Sequence, residues 1–171
     1  MQFETPFGPA WASIDGNGAV MAFGFGAGEG QGSSSEVARE IEEFFAGKRR
    51  TFDFPLAPKG SGFQKSVWAE LVKIPFGETI SYGELARRIG NPAASRAVGR
   101  ANATNPIALI VPCHRVIGSN GKLTGYAGGI DLKEKLLAWE RSKSEPLSQQ
   151  WSLSEPRFQR SAAALAEDQI Q

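Results

Sequence analysis

The sequence predicts an α/β protein in two parts: a small N-terminal α/β domain followed by a C-terminal winged helix-turn-helix domain. Three observations predict this. Short strand-like pieces fill the first 25 residues and lead into one amphipathic helix. Two short helix signals separated by about two residues follow between Ser81 and Ala101. An Asn120-Gly121 pair, the strongest two-residue hairpin signal, then lies between Val116-Ile117 and Leu123. The chain has 171 residues, of which 41% are hydrophobic and 10% aromatic, so a packed core is within reach. A single cysteine excludes an internal disulfide framework and a multi-cysteine zinc site.

The strands are expected around residues 1–7, 10–14 and 19–25, with Asp15-Gly16-Asn17-Gly18 as the turn between the last two. The run GFGAGEGQGSSS looks like a phosphate-binding glycine loop, but neither G-x-G-x-x-G nor G-x-x-x-x-G-K-[ST] fits its register. It reads as a flexible loop, and no nucleotide cofactor is expected. Ser33 and Glu36 have capping-box spacing. Val37, Ile41, Phe44 and Phe45 recur at helical spacing, and Gly47 supplies the stop. KRRTFDFPLAPKGSG is rich in Pro and Gly and reads as the connection, placing the domains at 1–60 and 61–140.

In the second part, FQKSVWAELVKI puts Phe63, Val67 and Leu71 on one helical face, with Pro75 as terminator. Ser81 and Glu84 cap the next helix, and Gly90 closes it. Asn91 then precedes Pro92 as N-cap of a helix bearing Ala94, Ala97, Val98 and Ala101. That helix is rich in small residues and carries Arg96 and Arg100, so it can approach a surface closely and reach phosphates or base edges. IALIV, residues 107–111, reads as a buried strand. Asp131 and Glu134 start a last helix with Leu132, Leu136, Leu137 and Trp139 turned inward. Residues 141–171 read as a polar tail.

Charge is uneven. Residues 63–140 hold ten Lys and Arg against six Asp and Glu, a net +4, which suits a polyanionic partner without requiring one. The opening residues lack the basic and apolar regions of a signal peptide, and no apolar run approaches the ~20 residues of a membrane span. A cytoplasmic protein is expected, or a nuclear one in a eukaryote, with no membrane partner.

The one cysteine and the one histidine are adjacent, Cys113 and His114, behind Pro112. A lone cysteine is usually an inert buried hydrophobe. Here the proline interrupts regular pairing, and His114 and Arg115 make an electropositive neighbourhood that favours thiolate. Adjacent residues of an extended segment point to opposite sides, which hinders a direct thiol–imidazole bond. Either the backbone turns sharply at Cys113 or a water carries the proton between them. The far nitrogen of His114 then needs a carboxylate or carbonyl to fix its tautomer.

PCHR, with ISYGELARRIGNPAASRAVGRANATNPI before it and VIGSNGKLTGYAGGIDLKEKLLAWE after it, closely resembles the O6-alkylguanine-DNA alkyltransferases. These DNA-repair proteins move an alkyl group from guanine onto their own cysteine. The likeness covers about residues 62–140; residues 1–60 fit the family's N-terminal domain only loosely. Some members hold a structural zinc there, but this chain lacks the ligands, so no metal and no cofactor are expected. The resemblance implies Cys113 as nucleophile, His114 as a base acting through water, and Glu140 as the acid that orients it. It implies Asn105 as the brace of the turn at the cysteine, Tyr82 at the substrate base, and Arg96 as the side chain that fills the gap left by a flipped nucleotide. Val116, Tyr126 and Ala127 match pocket positions, and Ala127 departs from the serine of some relatives. Gln64, Gly83, Asn91 and Ser119 are candidate phosphate contacts.

The expected partner is double-stranded DNA containing O6-alkylguanine, repaired in one irreversible turnover by a monomer, with O4-alkylthymine as a second lesion open to the same chemistry. Two alternatives differ in class. One is a winged-helix protein that binds alkylated DNA without repairing it; the retained Cys113 argues against it. The other is a thiol hydrolase with a Cys-His dyad, which would turn over.

Overall fold

The computed structural model describes residues 1–147. Three antiparallel strands open the chain in sequential order: β1 (Gln2–Thr5), β2 (Gly8–Ile14) and β3 (Val20–Phe25). Alternation along β2 buries Ala10, Ala12 and Ile14 on one face. Asp15 makes the expected turn, its carboxylate accepting from the Asn17 and Ala19 amides. The glycine-rich run is a packed loop rather than a free one. The Ile14 amide donates to Gln31 O, and a Cβ on Gly30 would lie 2.1 Å from Ala12 O. Glycine is needed there for close approach to β2.

Helix α1 (Ser35–Phe45) is capped by Ser34, whose hydroxyl accepts from the Val37 amide, one residue later than the Ser33–Glu36 spacing predicts. Val37, Ile41 and Phe44 are buried as expected. Helix α2 (Gly62–Leu71) has a full capping box between Ser61 and Gln64. It ends at Leu71, before Pro75, and its buried residues are Val67, Trp68, Ala69 and Leu71. Phe63, expected inward, is 39% exposed because it sits in the first turn, beyond the edge of the core.

The helix-turn-helix is present: α3 (Tyr82–Arg88), a 3-10 turn at Pro92–Ala94, and α4 (Ser95–Ala103). Ser81 caps α3 by accepting from the Glu84 amide. Asn91 makes no side-chain cap, since the intervening 3-10 turn moves the start of α4 to Ser95. Trp68 ties α2 to α4 by donating its indole N–H to Ala101 O at 2.8 Å.

IALIV is not a strand. Ile107 makes a single bridge to Phe23, and the chain then coils. The wing also differs from a hairpin. Strand β5 (Val116–Ile117) pairs in parallel with β4 (Ile80–Ser81), not with a returning strand. The Asn120-Gly121 turn forms, with the Gly118 amide donating to Lys122 O, but no ladder extends from it. Helix α5 runs from Ile130 to Leu147, so it passes the expected boundary at Glu140; residues 148–171 of the expected tail lie outside the described residues.

Buried side chains from both halves form one cluster, from Ala10 and Phe23 through Phe44 and Phe54 to Val98, Val111 and Leu136. The Phe23 amide donates to Pro106 O and Ala108 donates back to Phe23 O, so β3 abuts the segment that leads to Cys113. Among the described residues no helix is long and apolar enough to cross a membrane.

Candidate active site

The segment before Cys113 coils for identifiable reasons. Pro106 and Pro112 offer no N–H to a ladder. Asn105 competes for the backbone between them: its amide donates to Ile107 O and Val111 O at 3.3 and 2.8 Å, and its oxygen accepts from the Ile107 amide at 3.0 Å. Leu109 takes φ 68°, and the Ile110 amide donates to Ala108 O, a γ-turn of the rare strained kind. Pro112, at φ −80° and ψ 64°, carries an inverse γ-turn that joins the Cys113 amide to Val111 O at 2.7 Å. Three residues, Cys113–Arg115, then form a 3-10 turn. Of the two routes the sequence left open, a sharp turn or a water, the sharp turn at the cysteine is present, and Asn105 bonds to the backbone that leads into it.

His114 and Glu140 are both fully buried. His114 Nε2 lies 2.7 Å from Glu140 Oε1. Arg115 reaches the same carboxylate with two arms, Nε donating to Oε2 at 2.9 Å and Nη2 to Oε1 at 2.8 Å. The Gly77 amide donates to Oε2 at 3.1 Å. Burial pushes the Glu140 carboxyl up, but Arg115 and His114 outweigh it and hold the group well below the usual carboxylate range. An ionised carboxylate only accepts, so His114 presents N–H from Nε2 and, when neutral, an acceptor at Nδ1. Nδ1 has no hydrogen-bond partner in the protein.

Cys113 is 5% exposed, and burial pushes its thiol up, opposed by the Asn105 amide and the Lys133 ammonium. The sequence credited His114 and Arg115 with favouring thiolate. The structure reassigns that role, because Arg115 is committed to Glu140 and the nearby cation is Lys133. Burial likewise lowers the proton affinity of His114 against the pull of Glu140. Asn102 of α4 donates to Cys113 O at 3.3 Å, joining the second helix of the helix-turn-helix to the nucleophile.

Helix α5 supplies one wall of this neighbourhood. Lys133, Leu136, Leu137 and Glu140 are buried at i, i+3, i+4 and i+7, one stripe of the helix. Lys133 Nζ donates to Val116 O at 2.6 Å and Thr124 O at 2.8 Å, pinning β5 to the 122–129 loop. Tyr82, the first residue of α3, donates its hydroxyl to the same Thr124 O at 3.2 Å. Tyr126 from that loop is buried, its ring 6.5 Å from His114 and its hydroxyl unpartnered in the protein. Ala127 is exposed beside it.

Cys113, His114, Glu140, Asn105, Val116, Tyr126 and Tyr82 thus belong to one neighbourhood. Arg96 is exposed on α4 and makes no ion pair among the described residues. Asn91 and Ser119 are exposed, and Gly83 is half-buried in the first turn of α3. Gln64 is already engaged, accepting from the Ser61 amide and donating to Thr104 Oγ1 at 3.1 Å. Arg115, Lys133, Asn102 and Gly77 were missed as site residues. Arg115 was read only as a charge near the thiol, and Lys133 left a signal of its own: it lies seven residues before Glu140 and so shares its helix face. Among the described residues no three His, Cys, Asp or Glu side chains gather as a metal site.

The second helix of a helix-turn-helix holds the turn that carries a buried thiol next in sequence to the buried His114–Glu140 pair, an arrangement that sets thiol chemistry on a nucleic-acid-type scaffold. Residues 62–142 match the family model for the DNA-binding domain of 6-O-methylguanine DNA methyltransferase. The methylated-DNA–protein-cysteine methyltransferase of Methanosarcina acetivorans is 64% identical over 107 residues, covering 63% of this chain and 69% of the relative. The constitutive methylated-DNA–protein-cysteine methyltransferase of Bacillus subtilis is 50% identical over 108 residues, covering 63% of this chain and 66% of its own. The crystal structure of Mycobacterium tuberculosis OGT in complex with DNA superposes with a TM-score of 0.75 at 41% identity, covering 85% of this chain and 94% of that one. The chain belongs to the methylated-DNA–protein-cysteine methyltransferase family.

Proposed function

We propose that the protein repairs O6-alkylguanine in double-stranded DNA by a single, irreversible transfer of the alkyl group to Cys113. The observation that carries this is the histidine that follows the buried thiol: its Nε2 is paired with Glu140, and its Nδ1 is an unpartnered acceptor.

O6 of a stacked guanine is hard to reach for in-line attack, so the nucleotide must be extruded, at a cost of a few kcal/mol that is least for a damaged pair. Exposed Arg96 on α4 is suited to occupy the vacated stack. Nδ1 of His114 takes the thiol proton through a water. The thiolate attacks the alkyl carbon, the C–O6 bond breaks, and guanine leaves as an anion that accepts a proton or hydrogen bond, which the Tyr82 hydroxyl supplies by turning away from Thr124 O. Val116 and Tyr126 line the base site, Ala127 serves through its backbone, and Gly83, Asn91 and Ser119 approach the phosphates. Gln64 supports α2 and Thr104 instead. The product thioether is not hydrolysed, so each monomer acts once, in the compartment that holds the genome.

The test is to incubate the protein with duplex DNA carrying O6-methylguanine and weigh its peptides. One methyl per molecule on the peptide containing Cys113, absent in C113S with DNA affinity retained, is expected. Repeated turnover, or methyl on another peptide, would refute the reading. Arg96→Ala should slow transfer from duplex far more than from the free modified base.

A further inference from the structure

Arg115, the last residue of PCHR, moves no proton in the proposed transfer, yet it grips the Glu140 carboxylate more firmly than any other side chain there. Its guanidinium is 7% exposed and makes a paired, two-armed contact with Glu140. Its third nitrogen, Nη1, donates to Ile74 O at 2.7 Å, at the turn that follows α2. Its guanidinium carbon lies 5.7 Å from the centre of the Phe76 ring, and that of Arg50 lies 5.1 Å from the same centre. Arg50 in turn donates to the carbonyls of Lys143 and Ser144 in α5. Held this way, Arg115 cannot swing without breaking contacts to two separate parts of the chain, α5 and the turn after α2.

We infer that Arg115 is a positioning residue: it fixes the Glu140 carboxylate, and through it the tautomer and basicity of His114. The inference rests on the alkyl-transfer reading for its functional meaning but not for its geometry. With Arg115 in place, each carboxylate oxygen meets two donors, His114 and Arg115 on Oε1, Arg115 and Gly77 on Oε2. A carboxylate so saturated stays ionised and stays in one plane, so the imidazole N–H is kept on Nε2 and the acceptor on Nδ1. The guanidinium also cancels part of the negative charge that would otherwise tighten the proton on His114. His114 is thereby kept a neutral, correctly oriented base. The other charged or titratable groups around it are Lys133 and Glu140 from α5, Cys113 on its own turn and Tyr126 from the 122–129 loop. Arg50 stops at Phe76.

The chain contains one histidine, so its ring nitrogens can be read by NMR in the intact protein without assignment. Wild type should show the Nε2–H tautomer when neutral. In R115M the titration midpoint of His114 should rise by about one pH unit, a tenfold gain in proton affinity, with mixed tautomers. The acid limb of methyl transfer should move to higher pH by the same amount. The rate at neutral pH should fall on the order of 10- to 100-fold, the usual effect of losing an orienting partner. R115K, which keeps the charge without the two-armed contact, should restore the midpoint more fully than the tautomer. A wild-type Nδ1–H tautomer would overturn the inference, and so would a folded R115M that titrates like wild type. If R115M does not fold, the wild-type tautomer and R115K still decide it. If wild type shows the expected tautomer but transfers no methyl group, the proposed function fails and the positioning role stands.

Discussion

Glu40 and Glu140 are both buried carboxylates facing an arginine, one in each half of the molecule, and their oxygens meet different numbers of donors. Glu140 meets four, as described above. Glu40, 1% exposed on α1, accepts from the Asp53 amide at 2.7 Å and has Arg49 at 3.5 Å, while Oε1 has no hydrogen bond and only the exposed Arg39 at 3.8 Å. Arg49 is shared among Glu43, Asp53 and Thr51 O. The consequence is opposite charge behaviour. Burial wins at Glu40 and raises its affinity for a proton, whereas Arg115 and His114 win at Glu140 and lower it. Burial next to an arginine therefore does not by itself settle ionisation; the count and geometry of donors do. The half that carries the thiol has the saturated carboxylate, where a fixed negative charge has a task.

The comparison breaks first at Glu140. Glu140→Ala should cost about 3–5 kcal/mol, because it strands a buried guanidinium, and should abolish methyl transfer. Urea unfolding and single-turnover rates check both; a loss under 1 kcal/mol would mean the network is only local decoration. Gly77→Ala comes next. Gly77 sits at φ 82°, and a Cβ there would lie 2.1 Å from Ser144 Oγ. Left-handed backbone alone costs a non-glycine residue ~1–2 kcal/mol, and the clash adds to it. G77A/S144A should recover the clash but not the backbone share, as thermal melts would show.

Acid titration sharpens the contrast. Glu140 has a depressed folded pKa, so its contribution is full above the unfolded value of 4.5 and is lost as pH falls below it toward the folded value. Glu40 has a raised folded pKa, so its contribution is full below 4.5 and is lost as pH rises from there through the folded value. Stability followed by denaturation between pH 3 and 7 should have a shallower acid-side fall in E140Q, with Glu43 and Glu84 still contributing, and a weaker neutral-side fall in E40Q. The smallest effect is E40Q itself near pH 7, about zero to 1 kcal/mol of stabilisation, since it removes a poorly compensated buried charge. A large destabilisation would show that Arg49 serves Glu40 as Arg115 serves Glu140.

Much of the scaffold was legible because its signals are local. Ser81 and Glu84 start α3, Gly90 ends it, and Val37, Ile41 and Phe44 mark the inner face of α1. Near misses were also local: Ser34 caps instead of Ser33, and the 3-10 turn displaces Asn91 from its cap. The larger errors were non-local. IALIV is apolar because it is buried, and a short buried run carries no period that separates strand from coil. Its conformation is set by Asn105, two prolines and contact with β3. The hairpin signal at Asn120-Gly121 gave a turn, but β5 (from Val116) found β4 (ending at Ser81), 35 residues upstream at its nearest edge, as its partner.

The order of elements, the helix-turn-helix and the adjacency of a lone thiol and a lone imidazole are properties of the sequence, since they depend on spacing along the chain. Resemblance added Glu140 and Asn105 to that pair. Tertiary structure alone decided that Arg115 grips Glu140 rather than activating the thiol, that Lys133 is the cation near Cys113, and that Gly77 and Asn102 take part. The reason is distance along the chain. Arg115 and Glu140 are 25 residues apart, and Gly77 and Glu140 are 63 apart. Which donors fill four positions around one buried carboxylate is fixed only when α5, the turn after α2 and the cysteine turn close on one another.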